Sequence, residues 1–429
     1  MKKILKAEMW DKMQYLFRNY YDRMMHCVLY YDGEIDEDAL VKALEFQISR
    51  VPVLHSRYHN NFLKPYWVVQ PWKVEDAFKA ADTDDIESSV MEFAEQRIPI
   101  GSNMQIRVGL FRSGTKRALA FVVNHMCFDG GDLKYFVTQL AKNYTRLVSG
   151  EGGMTIKEGT RAYDAVYSAM NDEDRKYARS LYRNISEVKS KHTFPLTEKR
   201  KEDVNRIIKR KLSAEKFAEA RAAGKAMGFT VNDIILAAYI RSLEDIGVFK
   251  DGETLTVPCM VDLRRHMKEG GAETGLTNHT GFMTVAVNGA GKDMRETLDI
   301  VGKAMEHNKK DRFLGLYSLP LLHLAYTVLP HCVSEIAIRI GYDNPLIGMS
   351  NIGSIKPSDY ALGDTRPYDG FYTGAVKGKP YMQLALTTFE GEVTFSIAIT
   401  GNEDDVKIVE HFFDVLLGNL DEVTKCAKA

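Results

Sequence analysis

His125 and Asp129 lie four positions apart, and Gly130-Gly131 follows directly. An imidazole has an unperturbed pKa of about 6.5, so it can accept a proton near neutrality. Gly130 permits the tight backbone turn such a segment needs. A histidine four residues before an aspartate is, in most chains, an ordinary surface or core pair. Context singles this one out. Ala118–Val123 is a nearly continuous apolar run that reads as a buried strand and stops at Asn124-His125, and Asp132 to Leu147 reads as a helix. Loops at strand ends hold reactive groups on a rigid scaffold. Cys127, between the two, suggests a thiol nucleophile. No second histidine flanks it, and a buried small hydrophobe is the plainer reading. Gly289-Ala-Gly291-Lys292 hints at a phosphate loop, but Ala286 stands where the first glycine is needed and Asp293 follows the lysine. It fails as a phosphate-binding motif.

The elements that must position these residues are mixed. Lys12 to Tyr21 has a helix-like aromatic period, and Met24–Tyr31 reads as a strand. Asp36 opens an acidic helix start, with Leu40, Ala43, Leu44 and Ile48 on one face, which ends before Pro52. Gln105–Phe111 alternates as a half-buried strand. Later, Ser213–Met227 and Thr230–Leu243 read as helices, the second with Thr230 near its cap. Thr254–Val261, Thr284–Val287 and Val393–Thr400 read as strands, and Asp405 to Leu420 as an amphipathic terminal helix. The pattern is α/β (α+β), with an N-terminal half at 1–188, a basic linker at 189–211 and a C-terminal half at 212–429. The plain reading of the linker is a solvated connection; the functional one is docking of an acidic carrier or of phosphate groups.

The 429 residues suffice for two or three domains with a real core. Apolar residues at 45% and charged ones at 27% exclude long disorder. A net charge of −1 argues against a nucleic-acid partner, which calls for a basic excess. The five cysteines are scattered and form no C-x-x-C pair, so neither a metal site nor a disulfide framework is expected, and a reducing, cytoplasmic setting fits best. Lys2 and Lys3 lead into Lys6 and Glu8, not into an apolar signal core. From Phe313 to Ser334 there is no Asp, Glu, Lys or Arg, yet Pro320, Pro330, His323 and His331 suit a membrane span poorly. A buried or substrate-facing helix is expected there, with peripheral membrane contact left open.

The segment His125-Met-Cys-Phe-Asp129-Gly130 resembles the His-x-x-x-Asp-Gly signature of the acyltransferase superfamily that includes chloramphenicol acetyltransferase, peptide-synthetase condensation domains, wax ester synthases and polyketide-associated acyltransferases. Arg50-Val-Pro-Val-Leu-His-Ser-Arg57-Tyr58 is similar to the arginine-rich segment after that family's first helix. Thr230-Val-Asn232-Asp233 resembles the start of a wax ester synthase helix, Val257-Pro258 to Arg264 a family strand, and Ser350-Asn351-Ile-Gly353 the Ser-Asn-x-x-Gly element. These segments keep the family's order over about residues 10 to 420.

The resemblance implies two chloramphenicol acetyltransferase-like halves in a V, each a mixed sheet with flanking helices, with a tunnel between them. It implies a free-standing acyltransferase in which His125 is the general base and an acyl group moves from a thioester to a hydroxyl. Amide formation on carrier-bound substrates, or non-catalytic binding, are the alternatives. It implies no tightly bound cofactor and no metal. The co-substrate is acyl-CoA or a phosphopantetheine thioester, the acceptor an alcohol or amine, and an acyl carrier protein is a candidate partner. Asp129 is expected to pair with an arginine, Arg50 first and Arg264 second. Ser350, Asn351 and Asn278 are oxyanion or tunnel candidates, and His279 reads as polar structure. Two departures stand out. Asn124 occupies the position where condensation domains and wax ester synthases usually carry a first histidine, and Asp359–Gly363 does not match the Asp-Phe-Gly-Trp-Gly of plant members.

Overall fold

The computed structural model describes residues 3–182, 191–268, 276–341 and 346–427. The chain runs β1 (Ile4–Lys6), α1 (Met9–Leu16), β2 (Met24–Asp32), α2 (Glu37–Arg50), β3 (Ser56–His59), β4 (Tyr66–Val69), β5 (Phe78–Asp82), α3 (Ile86–Glu95), β6 (Ile106–Ser113), β7 (Lys116–Asn124), α4 (Gly130–Val148) and α5 (Asp172–Ala178). It continues through β8 (Val204–Leu212), α6 (Ala214–Ala226), α7 (Val231–Asp245), β9 (Thr254–Asp262), β10 (Thr280–Asn288), α8 (Met294–Lys310), α9 (Leu319–Val328) and α10 (His331–Gly341). It ends with β11 (Ile347–Ile355), β12 (Pro367–Thr373), β13 (Lys377–Gly378), β14 (Met382–Phe389), β15 (Glu392–Gly401) and α11 (Glu403–Cys426).

The N-terminal half is built on a five-stranded sheet ordered β12-β2-β7-β6-β5. Antiparallel β2 and β7 form its centre, and their register sets Met24 opposite Asn124 at the site end. The apolar face foreseen for α2 is real: Leu40, Ala43, Leu44 and Ile48 are fully buried, each larger one contributing about 1.5–3 kcal/mol of burial. Asp36 caps this helix by accepting from the Ala39 N–H. The C-terminal half carries a sheet ordered β10-β9-β11-β14-β15-β13, with β8 on the other side of β15. Helices α7, α8 and α11 bury their apolar faces with it in a second core. Thr230 caps α7 in a reciprocal box with Asp233, as its position in the sequence suggests.

Two features depart from the sequence reading. The stretch taken as a basic linker is a strand from Val204 onward, pairing along the full length of β15; the boundary at 188 and the first linker residues lie outside the described residues. Its charges are engaged in pairs: Lys211 with Asp369 and Glu392, Arg210 with Asp414, Arg206 with Glu403, and Lys209 with Glu87. A charged outer strand is what an exposed sheet edge favours, because it resists further pairing. The second departure is β12. It comes late in the chain yet pairs antiparallel with β2, so the C-terminal half contributes a strand to the N-terminal sheet. That crossing fastens the halves together beside the loop that follows β7.

Candidate functional site

Strand β7 ends at Asn124, and the chain turns sharply. The Cys127 N–H donates to the Asn124 carbonyl at 2.8 Å, and the His125 N–H donates to the Arg23 carbonyl at 2.8 Å. The Asn124 side chain fixes this turn. Its Oδ1 accepts from the Met126 N–H at 3.0 Å, and its Nδ2 donates to Gln105 Oε1 at 2.7 Å. Asn124 is thus a buried turn clamp.

The loop carbonyls are held as firmly. Asn278 Nδ2 donates to the His125 and Met126 carbonyls at 3.2 and 2.9 Å. Arg161 donates to the Met126 and Cys127 carbonyls at 2.9 and 2.5 Å, and it pairs with Asp11. Asp11 is itself anchored by the Trp67 indole N–H at 2.9 Å. Arg161 and Asp11 had no signal in the sequence, since their roles arise from contacts 34 to 150 residues apart along the chain.

Beyond the turn, Asp129 caps α4. Its Oδ1 accepts from the Asp132 N–H at 2.8 Å, and its own N–H donates to Asp132 Oδ2 at 3.1 Å. The guanidinium of Arg264 binds both Asp129 oxygens, at 2.9 and 3.0 Å, and reaches Asp132 at 2.5 Å and Asp262 at 3.0 Å. Asp132 also accepts from the Thr277 and Asn278 N–H groups at 2.8 and 2.6 Å. Burial alone would push Asp129 up, but the Arg264 charge and hydrogen bonds hold it below the usual carboxylate range. Burial and the neighbouring Asp129 charge push Asp132 up to about 6. The partner expected first for Asp129, Arg50, is exposed at the end of α2, its guanidinium 5.4 Å from the Phe46 ring centre. Arg264, the second choice, forms the pair. The last turn of α2 points Arg50 to solvent, whereas the turn after β9 carries Arg264 into the interface. Asp132 was readable as the far member of an Asp-x-x-Asp capping box.

The glycines divide the same way. A Cβ on Gly131 would sit 2.8 Å from Arg264 Nη1, whereas one on Gly130 would find its nearest neighbour, Ile352, at 4.0 Å. Close approach demands glycine at 131. Gly130 has no positive φ, so the conformational freedom expected to be needed there is not used.

His125 faces a cavity of about 370 Å³ between the halves, to which Gly130, Lys134, Arg264, Ser350 and Asn351 also contribute. Much of its wall is apolar, including Trp10, Met13, Phe17, Met260, Leu319 and Leu322. The His125 Nδ1 is buried with no hydrogen-bond partner, which leaves Nε2 as the ring nitrogen open to the cavity. Burial lowers the His125 pKa below 6.5; the nearby backbone of His125 and Phe128 and the Asp129 charge act against it, and the Lys377 charge acts with it. Lys377 lies over the Tyr21 ring at 3.7 Å, makes no ion pair among the described residues, and is pushed down to about 8 by burial, against the pull of Asp22. Burial likewise lowers Lys134.

The remaining candidates separate clearly. Ser350, on β11, lines the cavity, and its hydroxyl has no hydrogen-bond partner among the described residues. Asn351 lines it too, but its amide is tied to Asn232 at 2.8 Å and its carbonyl oxygen accepts from the Gly353 N–H. Asn278, 1% exposed, is absent from the cavity wall and acts as the loop clamp instead. His279 is fully buried against Trp10, ring centres 4.5 Å apart, with burial lowering it to about 4. Cys127 is fully buried, faces the Val53 carbonyl, and has its thiol pKa raised by burial.

Comparison with known proteins follows this geometry. A family model described as the condensation domain matches residues 10–254. Among curated proteins no sequence match is found. Solved structures match over nearly the full length. The epimerization domain from the third module of tyrocidine synthetase B superposes with a TM-score of 0.68 at 13% identity, covering 100% of this chain and 98% of that one. The trichothecene 15-O-acetyltransferase from Fusarium sporotrichioides gives 0.68 at 15% identity, covering 97% and 96%. Polyketide synthase associated protein 5 from Mycobacterium tuberculosis gives 0.67 at 15%, covering 97% and 98%. At these identities the structural likeness establishes the fold, two chloramphenicol acetyltransferase-like halves about a shared cavity. With the family model spanning more than half of its residues, the chain belongs to the condensation-domain family.

Proposed function

We propose that this protein transfers an acyl group from a thioester, acyl-CoA or a phosphopantetheine carrier, to a hydroxyl acceptor, with His125 as general base. The carrying observation is the setting of His125: one ring nitrogen open to a cavity with much apolar wall, on a loop whose His125, Met126 and Cys127 carbonyls are clamped, with burial holding the ring below the ordinary histidine pKa. Nε2 takes the acceptor proton as its oxygen attacks the thioester carbonyl. The tetrahedral intermediate collapses, and the departing thiolate receives that proton from the imidazolium. Such proton transfer contributes about 10²–10⁴-fold. The free Ser350 hydroxyl is the available donor to the intermediate's oxyanion.

The placement of charge bears on the choice between an alcohol and an amine. Arg264 is outnumbered by Asp129, Asp132 and Asp262, while Lys134 and Lys377 make no ion pair among the described residues. Those two cations oppose an ammonium that comes close to them, a barrier a neutral hydroxyl does not meet. The similar fold of an O-acetyltransferase supports this reading.

The test is thiol release from acetyl- to palmitoyl-CoA and from carrier-bound thioesters, with alcohols and with amines, using wild type and His125→Ala. Alcohol-dependent release by wild type alone is expected. Release that depends on amines only would replace the proposal with amide formation, and equal release by the variant would remove His125 as the base.

A further inference from the structure

Helices α9 and α10 bury Leu319, Tyr326 and Ile338, yet each exposes a second apolar stripe where polar side chains are the rule. On α10 three polar side chains face the protein: Glu335 pairs with Arg18 at 2.6 Å, the Ser334 hydroxyl donates to the Ala325 carbonyl at 2.8 Å, and His331 Nε2 lies 2.7 Å from Asn60 Oδ1. The outer face carries Val333, Ile336 and Ile340, at i, i+3 and i+7, exposed by 44, 62 and 81%. On α9 the same spacing exposes Leu321, Leu324 and Val328, and Leu329 joins the two helices. A third piece meets them at this junction. The His331 and Cys332 N–H groups donate to the Leu63 and Phe62 carbonyls, which fixes the β3–β4 loop there with both side chains exposed by 60% or more.

A contiguous apolar surface of this kind marks an interaction site. Its chemistry narrows the occupant. The sole acidic residue on the two helices is Glu335, which is paired inward. Among the described residues, exposed charges flank the apolar side chains at Lys64, next to Leu63, and at Arg339, next to Ile340. An apolar face with a basic rim matches a bilayer interface carrying anionic headgroups. A second copy of the chain fits worse, because a two-fold contact would set this basic rim against itself. Helix α9 also turns Leu319 and Leu322 into the cavity of His125, so one short helix joins the outer apolar face to the site. Among the described residues no helix is long and apolar enough to cross a membrane, and the proposed contact is at the surface.

We propose that this face seats the protein on an anionic lipid surface. The inference stands independently of the reaction catalysed. The experiment is flotation of the full chain with phosphatidylcholine vesicles, with and without phosphatidylglycerol. Wild type floats with the anionic vesicles. Ile336→Glu with Ile340→Glu lowers the partition by about tenfold per side chain. Lys64→Glu with Arg339→Glu removes the phosphatidylglycerol preference, about fivefold per charge. All variants keep the wild-type melting temperature and thiol-release rate on soluble substrates, since the altered side chains are exposed. Flotation unchanged by the isoleucine pair overturns the proposal. So does absence of flotation by wild type, whether the chain is monomeric or forms a dimer that the isoleucine pair dissociates in light scattering.

Discussion

At His125 one ring nitrogen is buried without a partner and the other opens to the cavity, while four residues on both carboxylate oxygens of Asp129 are engaged by Arg264. The two residues belong to one short motif and one continuous loop, yet the protein treats them in opposite ways. Around Asp129, Asp132 and Arg264 a buried polar network is saturated with hydrogen bonds, which makes it rigid and costly to disturb. Around His125 the backbone is fixed and the ring is left unsatisfied, a state retained where a group must meet a substrate. The motif therefore combines a chemical element with an architectural one. Substitutions in the two should separate activity from stability.

The largest effect belongs to the reactive side. His125→Ala should lower kcat/KM by about 10²–10⁴-fold, while its thermal midpoint stays level or rises because an unsatisfied buried nitrogen is removed; a matching fall in midpoint would erase the distinction. On the architectural side, Arg264→Met strands two buried carboxylates and should cost about 3–5 kcal/mol in denaturant unfolding. Arg50→Ala, at an exposed helix end, should stay within about 0.5 kcal/mol of wild type. The glycines sharpen the contrast at one-residue resolution. Gly131→Ala drives a methyl against Arg264 and should destabilise by about 1–3 kcal/mol. Gly130→Ala meets open space, so calorimetry should show no loss. Its methyl enters the cavity wall, so any effect should appear in KM.

How much of this was legible in the sequence follows the same division. The His125 loop was readable because strand, turn and helix are successive, and local periodicity carries that information. The pairing of Asp129 was not, since Arg264 lies 135 residues away and joins it only when the two halves close. Arg50 ranked higher because it matched a segment by type, and segment type says nothing about which way a helix end points. Strand β8 was obscured by its own composition: Arg206, Lys209, Arg210 and Lys211 read as a solvated link, and their ion-pair partners come from Glu87, Asp369, Glu392, Glu403 and Asp414 elsewhere in the chain. The uncharged run at Phe313–Ser334 was expected to be buried or to face substrate. Leu319 and Leu322 do reach the cavity, but the exposed face of α9 had no local signature, because outward and inward apolar stripes share one period.

The finest test concerns the electrostatic link between the two regions. Burial lowers the His125 pKa, so the imidazole stays neutral, and competent as a base, to pH values below 6.5. The acid limb of kcat/KM should therefore lie below that pH, with the rate falling as protons are added through it. Lys377 lowers the same pKa and Asp129 raises it. Lys377→Met removes a positive charge and should move the acid limb to higher pH, toward the ordinary histidine value. Asp129→Asn, where it remains folded, should move the limb the other way. A limb that stays in place in Lys377→Met would mean that burial and the loop set the base without the lysine, and that the cation serves only to tune which acceptor enters. The ratio of alcohol to amine rates in that same variant distinguishes these roles. A ratio that falls while the limb stays fixed assigns Lys377 to acceptor selection, and a shifted limb with an unchanged ratio assigns it to the base.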